Sequence, residues 1–561
     1  MSRRAGWALK VAAIAIFLLL NRAAYKGYFQ DDDLDTLGWA GALPASEFLG
    51  YLITPRLSPT NFRPVGAFYY HALETAFGLD FPKYVIVLHG LHLLNIWLVW
   101  LLARKLGIGP WGAAAGAFFF GFHAVLMDAW WKPMYVFDIL CATFCLLTVL
   151  LYAYGRWILS LITFWLAYKS KELAVMLPVV LACYELWFGQ RRWKRLIPFF
   201  AVSLLFGIQA ALLPVHRGTR YEMQLGVGAL ATTIRFYSSQ VFLLPYAGLL
   251  LLVLPFFIRD RRLWFGLAAM SLLLIPLLLL PGRLYAVYWY VPLIGAALML
   301  ASLADGHYRW AVMFLLALWI PWDFVHFREL RRMNQRREQQ NRAYVGAIEK
   351  FARLNPSERA FVYDFLPEEF HDWGVTGALR SVYRNPTITA QHIDQPGAEE
   401  LIQKGDAAWL HWSRGLGRLD IVRYPRERPL VPYLKMDVSS PANQLLDGWY
   451  SPDDDFRWTK PDARAVLLRP EGARHFEVVA CVAPEQTQRY NAVSLRVLLD
   501  AQPLGQHAFT TPGCETVEWP APPRSPGKVS IEFHISPPYP APKPDPRILG
   551  ISMKAFGFIS Q

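Results

Sequence analysis

Three consecutive carboxylates, Asp31, Asp32 and Asp33, close the run Tyr28-Phe-Gln-Asp-Asp-Asp33, a few residues past the first apolar stretch of the chain. Further along the same loop come Asn61-Phe-Arg-Pro-Val65 and Phe68-Tyr-Tyr-His71. A carboxylate held at a membrane surface can take a proton from a hydroxyl as a general base. An arginine beside it can grip a phosphate through paired, charge-assisted hydrogen bonds. The loop therefore reads as half of an active site and the rest of the chain as its scaffold. The plainer reading of an Asp triplet is a solvated turn or a helix cap, and the pattern alone leaves both open.

Ionisable groups in or beside apolar spans are costly and count as functional candidates by default. On the side of the Asp loop they are Arg63, His71, His89, His92, His123, Asp128, Lys132, Asp138, Lys169, Lys171, Glu172, Arg217 and Arg283. Acids and bases together are what a site needs to bind a phosphorylated substrate and activate a hydroxyl. Each has a blander reading. His89 and His92 fit structural hydrogen bonding, and their spacing is not the i, i+4 of a helical zinc pair. Lys171-Glu172 at the head of a span fits an interfacial anchor. Arg283, ahead of Tyr285, Tyr288 and Tyr290, fits an aromatic belt. Their common side of the membrane is the stronger argument.

The elements that must position these residues follow from hydropathy. The chain has 561 residues, 54% of them hydrophobic, too apolar for an ordinary soluble protein. The apolar residues crowd into the first 325 positions, in runs near 11–20, 84–103, 110–126, 136–153, 157–168, 173–189, 197–213, 236–257, 263–280, 284–303 and 310–325. A span takes about 20 apolar residues, so a polytopic α-helical membrane domain of about eleven spans is expected, with 157–168 the shortest run. No small-residue cleavage site follows the first run, which argues against a removed signal peptide. With the N-terminus inside, the inner loops hold Arg104-Lys105, Arg156, Arg191-Arg192, Lys194-Arg195, Arg259, Arg261-Arg262 and Arg309. The outer loops hold the Asp triplet, Asp128, His216-Arg217 and Arg283, a positive-inside pattern that puts the C-terminal region outside. The basic stretch Arg328–Arg342 conflicts with it and is expected to lie along outer headgroups.

The formal charge of +13 suits a protein with basic loops against anionic lipid. No basic cluster sits on a nucleic-acid motif, so nucleic acid is not an expected partner. Beyond about residue 343, Arg359-Ala-Phe-Val-Tyr-Asp364 and Ala407-Ala-Trp-Leu-His-Trp412 read as strands flanking a helix near 369–383, a small α/β module. After Pro441, alternating runs such as Val493–Leu499 and Val529–Ile535 predict a β-sandwich. The expected domains are 1–326, 327–440 and 441–561. Cys141, Cys145 and Cys183 fall in apolar runs as small core residues, whereas Cys481 and Cys514 can pair if their region faces an oxidising compartment.

Several blocks taken in order resemble the GT-C superfamily of multi-span glycosyltransferases that use polyprenyl-phosphate sugars. The look is nearest to the protein O-mannosyltransferase-like branch and its bacterial relatives. The blocks are Phe29–Asp33, Phe62–Tyr70 running on to Gly78, Tyr84–Asn95 with His92, Phe122–Ala129, Ser170–Pro178 and Gly282–Tyr285. In the fourth, Ala124 stands where the family has a Pro and Asp128 where it has a Glu. The tetratricopeptide repeats of part of that branch are missing. Gly448-Trp-Tyr, Phe456-Arg-Trp458 and Asp545–Gly550 look like a β-sandwich attached to bacterial membrane glycosyltransferases.

The resemblance implies an inverting transfer of a sugar from a polyprenyl-phosphate donor to an extracytoplasmic hydroxyl on a protein, lipid or polysaccharide. It implies Asp32 or Asp33 as base, with Asp31 beside them and the middle residue favoured. Arg63, Lys171 and Arg283 would bind the donor phosphate, and His123, Asp128, Glu172 and His92 would line the site. A divalent metal at the three carboxylates is a minor option. The implied setting is a bacterial inner membrane, with both C-terminal domains outside. The rivals are a lipid-carrier flippase and a catalytically silent, glycan-binding relative.

Overall fold

The structure, a computed structural model, describes residues 3–55, 63–212, 222–440, 442–543 and 545–560. Asn61, Phe62, His216 and Arg217 lie outside the described residues. The chain divides into two compact units, Met1–Arg342 with Trp373–Pro386, and Ala343–Asp372 with Thr387–Gln561. The first unit thus reaches beyond the 1–326 segment that hydropathy suggests and takes back a short piece of the stretch read as the α/β module.

The helices are α1 Arg3–Leu20, α2 Asp31–Ala40, α3 Ala45–Ile53, α4 Pro64–Phe77, α5 Phe81–Lys105 and α6 Pro110–Phe122. They continue with α7 Met127–Trp131, α8 Val136–Ala153, α9 Trp157–Ser170, α10 Leu177–Trp187, α11 Ile197–Leu212 and α12 Val227–Gln240. The last of the series are α13 Leu250–Phe257, α14 Arg261–Leu278, α15 Leu293–Asp305, α16 Arg309–Leu354 and α17 Asp372–Tyr383. Each apolar run carries at least one helix, because a chain in hydrocarbon must satisfy its backbone internally.

Among the described residues, four helices are long and apolar enough to cross a membrane: Phe81–Lys105, Pro133–Ala153, Arg261–Leu278 and Arg309–Leu354. A fifth is added if Pro110–Phe122 and Ala124–Trp131, bent by 48°, make one span. Most of the other expected runs fold as shorter helices, and the cause is local. Pro178 opens α10, Pro255 interrupts α13 and Pro292 precedes α15, so several runs fold as short helices joined by turns. Glycine sets the closest helix contacts: a Cβ on Gly116 of α6 would stand 2.4 Å from the Ala297 carbonyl of α15.

In the second unit the strands are β1 Ala360–Tyr363, β2 Thr389–His392, β3 Ala408–Ser413, β4 Arg418–Val422 and β5 Tyr433–Lys435. There follow β6 Leu445–Asp453, β7 Phe456–Arg469, β8 His475–Val482, β9 Val493–Leu499 and β10 Gln502–Phe509. The series ends with β11 Gly513–Pro520, β12 Gly527–Ser536, β13 Tyr539–Pro540, β14 Ile548–Leu549 and β15 Ser552–Ile559. A four-stranded sheet runs β2-β1-β3-β4, parallel except for β4. A nine-stranded antiparallel sheet runs β10-β9-β12-β7-β15-β8-β11, with β5 on β15 and β6 on β7.

The long β7 serves two neighbours. Its start pairs with β15 (Arg457 opposite Met553) and its end with β12 (Arg469 opposite Gly527). The two arms enclose one core, where Phe533 of β12 meets Phe556 of β15 edge to face at 4.9 Å. Cys481 of β8 and Cys514 of β11 stand opposite each other and are disulfide-bonded. Cys141 and Cys145 are buried free thiols, and Cys183 is half-buried.

Candidate active site

Helix α2 begins at Asp31 because Gln30 is extended and the Asp33 carboxylate reaches back to accept the Gln30 N–H at 2.8 Å, one limb of a capping box. Three carboxylates in a first turn are tolerated there by the partial positive charge of the helix N-terminus. Helical rotation then gives them different fates. Asp33 is fully buried, and its second oxygen accepts the Tyr70 hydroxyl at 2.6 Å. Burial pushes its carboxyl up to about 7, with Asp32 and Asp31 adding to the rise and the Tyr70 and Gln30 hydrogen bonds opposing it. Asp31 is buried too, and one of its oxygens takes the Asp32 N–H at 3.0 Å. Asp32 is exposed and accepts the Trp373 indole N–H at 2.9 Å.

The three expected phosphate-binding cations come together. Proline at the first position of α4 leaves Arg63 at its N-cap position, and the guanidinium forks onto Glu172, with Nε–Oε1 at 3.0 Å and Nη2–Oε2 at 2.8 Å. Lys171 is extended at the break between α9 and the turn into α10; it donates to Asp138 at 2.6 Å and lies 4.4 Å from the Tyr288 ring. Arg283 stands 5.4 Å from the Tyr285 ring and 5.9 Å from that of Tyr288. Arg63 also feels Asp138 and Tyr288. Three cations thus gather around one tyrosine, with Glu172 and Asp138 each holding one of them. Tyr135 is within electrostatic reach of Asp128, Tyr288, Asp138 and Asp32, residues of both this patch and the acidic turn.

A third cluster adjoins the turn. Asp128 accepts from Lys132 at 3.2 Å and from Asn334 at 2.8 Å. Trp131 donates its indole N–H to Glu338 at 2.7 Å, and the other Glu338 oxygen has no hydrogen-bond partner among the described residues. Glu338 lies on α16 well past the apolar part at 310–325. Burial raises its carboxyl to about 8, with Asp128 and Asp33 adding and Lys132 and Trp131 opposing. The Arg328–Arg342 stretch packs one face against the protein. It continues α16 without a break and turns Asn334, Glu338 and Asn341 inward, the last donating to the Phe29 carbonyl at 3.1 Å.

Other expected residues lie apart. His92 is fully buried, with one ring nitrogen on the Tyr290 hydroxyl at 2.7 Å and the other on the Gly121 carbonyl at 3.0 Å, which leaves neither for a substrate. His123 occupies the bend after α6, where Nε2 meets the Val241 carbonyl at 2.8 Å. His89 pairs with Tyr25 at 2.7 Å, His71 with the Ala40 carbonyl at 3.1 Å, and Lys169 with the Thr54 carbonyl at 2.7 Å.

Sequence reasoning missed Tyr70, Tyr135, Trp373 and Glu338. Glu338 had a signal: with Asn334 and Asn341 it forms an uncharged-or-acidic stripe at i, i+4, i+7 on a strongly basic helix. At the acidic turn Asp33 holds the Gln30 N–H on one oxygen and the Tyr70 hydroxyl on the other. Among the described residues no three His, Cys, Asp or Glu side chains converge as metal ligands. A cavity of 710 Å³ beside Trp193, Phe200 and Leu204 is lined by apolar side chains and carries no ionisable group.

Neither a protein-family model nor a curated protein sequence matches the chain. Among solved structures the chain is similar to ArnT from Cupriavidus metallidurans bound to undecaprenyl phosphate. The identity is 13% and the TM-score 0.43, covering 74% of this chain and 94% of that one.

Proposed function

We propose that this chain is an inverting GT-C-type glycosyltransferase that moves a sugar from a polyprenyl-phosphate donor to an acceptor hydroxyl on a protein, lipid or polysaccharide. One observation carries the reading. An exposed carboxylate, Asp32, shares a unit with three cations drawn from distant parts of the chain and gathered on Tyr288. Transfer needs both centres. Asp32 takes the acceptor proton as the hydroxyl oxygen attacks the anomeric carbon from the face opposite the phosphate. The bond from that carbon to the phosphate oxygen breaks and the configuration inverts. The polyprenyl phosphate leaves with its new charge against Arg63, Lys171 and Arg283.

Glu172 and Asp138 hold two of those cations in place, and Asp128 with Lys132 lines the acidic side. The setting is the inner membrane of a bacterium with both C-terminal domains outside, which the charge distribution of the loops supports. So does the Cys481–Cys514 disulfide, since such bonds persist in oxidising compartments. The mannosyltransferase-like branch makes mannose the first donor sugar to try.

The test is radiolabelled sugar transfer from a panel of polyprenyl-phosphate sugars in membranes carrying wild type or Asp32→Asn. Transfer lost in the variant, at unchanged insertion, supports the reading. Transfer that survives removes Asp32 as base. Lipid-sugar crossing reconstituted vesicles with no transfer product replaces the enzyme by a flippase.

A further inference from the structure

The far end of α10 carries a feature that the transfer site does not use. Lys171 and Glu172 precede that helix, and its 11 residues put about 16 Å of helix between them and the turn that follows. The turn reads Arg191-Arg-Trp-Lys-Arg195, four cations in five positions. Its backbone is fixed. Arg191 is left-handed at φ 56°, a conformation uncommon outside glycine. The Arg192 N–H donates to the buried Glu185 of α10 at 3.1 Å, and the other Glu185 oxygen accepts the Tyr152 hydroxyl of α8 at 2.7 Å. The N–H groups of Trp193 and Arg195 close the turn on the carbonyls of Arg191 and Arg192, at 2.9 and 3.0 Å. Arg261, at the start of α14, adds a fifth cation: it donates to the Trp187 carbonyl at 3.2 Å, with its guanidinium 4.9 Å from the Phe188 ring. Among the described residues none of the five forms an ion pair with a carboxylate. Like charges held on one fixed turn repel, and an anion relieves them.

A groove opens beside these cations. Trp193, Ile197, Phe200, Ala201 and Leu204, with Ala182 of α10, line a cavity of 710 Å³ that holds no ionisable side chain. Ile197, Phe200 and Leu204 are exposed, and their spacing of three and four puts them on one face of α11. In water such a stripe would be a liability, whereas in hydrocarbon it is an ordinary lipid-facing surface. Groove and cations share Trp193, 46% exposed, and tryptophan settles at headgroup level. An apolar groove that ends at a cluster of cations is the complement of a phospholipid, with chains along the groove and an anionic phosphate at its end. A soluble phosphate would use the cations and leave the groove uncovered.

We propose that this turn and groove bind an anionic phospholipid at a site separate from the transfer site. The phosphate sits among Arg191, Arg192, Lys194 and Arg195, and an acyl chain lies along α11 from Ile197 to Leu204. The bound lipid offsets the charge of the turn and joins α10 to α11. The site needs the chain to lie in a bilayer and is independent of the transfer chemistry.

The test uses the full-length protein in detergent, offered phosphatidylglycerol and phosphatidylcholine of the same chains at equal concentration. Native mass spectrometry reads the lipid retained. The variants are Lys194→Gln/Arg195→Gln, which removes two cations, and Ala201→Trp, which fills the groove. Membrane yield and thermal unfolding check that each keeps its fold. Wild type should retain phosphatidylglycerol over phosphatidylcholine by about tenfold or more, and unfold at a higher temperature with it. A cation at a lipid surface is worth about fivefold in affinity, so the double variant should lose the preference. Ala201→Trp should lower phosphatidylglycerol retention with every cation in place.

No preference in wild type, or one that survives the double variant, overturns the proposal. A preference untouched by Ala201→Trp also overturns it, because surface attraction alone would then suffice. Inorganic phosphate that raises the unfolding temperature as phosphatidylglycerol does would replace the lipid site by a phosphate site. Polyprenyl phosphate retained ahead of phosphatidylglycerol, and lost in the double variant, would give the groove to the carrier lipid instead.

Discussion

Replacing Asp33 by Asn exchanges a buried carboxyl for an amide of almost the same shape, and the structure says what that should do. The amide oxygen can accept the Gln30 N–H, while the amide nitrogen donates to the Tyr70 hydroxyl, which rotates and becomes the acceptor. Both hydrogen bonds therefore survive and the charge goes. In wild type the carboxyl is raised from 3.8 to about 7. Below about pH 4 the native and unfolded states are both protonated; between about 4 and 7 only the native state holds the proton; above that neither does. The native state binds more protons across the window, so this group's contribution to stability falls as pH rises through it. At 1.36 kcal/mol per unit the fall is about 4 kcal/mol.

Thermal unfolding in detergent from pH 4.5 to 8 should show wild type losing stability relative to Asp33→Asn, with the gap widest at the alkaline end. Asp33→Asn should keep transfer within about tenfold of wild type, whereas Asp32→Asn should lose about 10²- to 10⁴-fold, the usual worth of a general base. Two results would refute the reasoning. Parallel pH curves for wild type and Asp33→Asn would mean that the carboxyl does not titrate in this window. Transfer abolished by Asp33→Asn and kept by Asp32→Asn would move the base to the buried position.

The basic patch yields two further expectations. Arg63→Lys keeps the charge and loses the fork onto Glu172, so transfer should fall by about tenfold or more with fold retained, read as donor KM and kcat in the same assay. Lys171→Met leaves the buried Asp138 without its ion pair and should destabilise by about 3–5 kcal/mol; adding Asp138→Asn should restore unfolding temperature without restoring transfer. The disulfide tests the side of the membrane. Reduction of intact spheroplasts followed by a bulky, impermeant maleimide should shift the protein on a gel by Cys481 and Cys514, and no shift before lysis would put this region inside.

How far the site could be read from the chain varies with the range of the interactions involved. The acidic turn and the three cations were visible as residue types because buried or membrane-adjacent charge is costly wherever it occurs. Their meeting at Tyr288 was not, since residues 63, 171 and 283 are brought together by helix packing that no local pattern encodes. The sorting of Asp31, Asp32 and Asp33 lies between these cases. It follows from where α2 starts, and the Gln30–Asp33 capping spacing carries that information, but a triplet of identical residues hides it. Hydropathy windows sum apolar side chains and pass over the prolines that divide several apolar runs into short helices.

Helix α17 marks the limit of such reading. Its sequence, with a strand on either side, reads as an ordinary crossover of a small α/β module, and nothing local names α2 as its partner. The cause is two hydrogen-sized side chains, Gly38 and Gly377, that permit a backbone contact any other residue would block. A substitution of Gly377 by Ala therefore probes the docking alone: the added methyl would meet the Leu34–Asp35 backbone, which cannot swing aside as a side chain could. It should lower transfer through Asp32 while leaving the Arg63–Glu172 and Lys171–Asp138 pairs untouched. Donor KM near the wild-type value, with acceptor KM raised, would tie the docking of this helix to the acceptor side of the reaction. A rise in donor KM instead would mean that α17 supports the whole unit rather than one wall of the site.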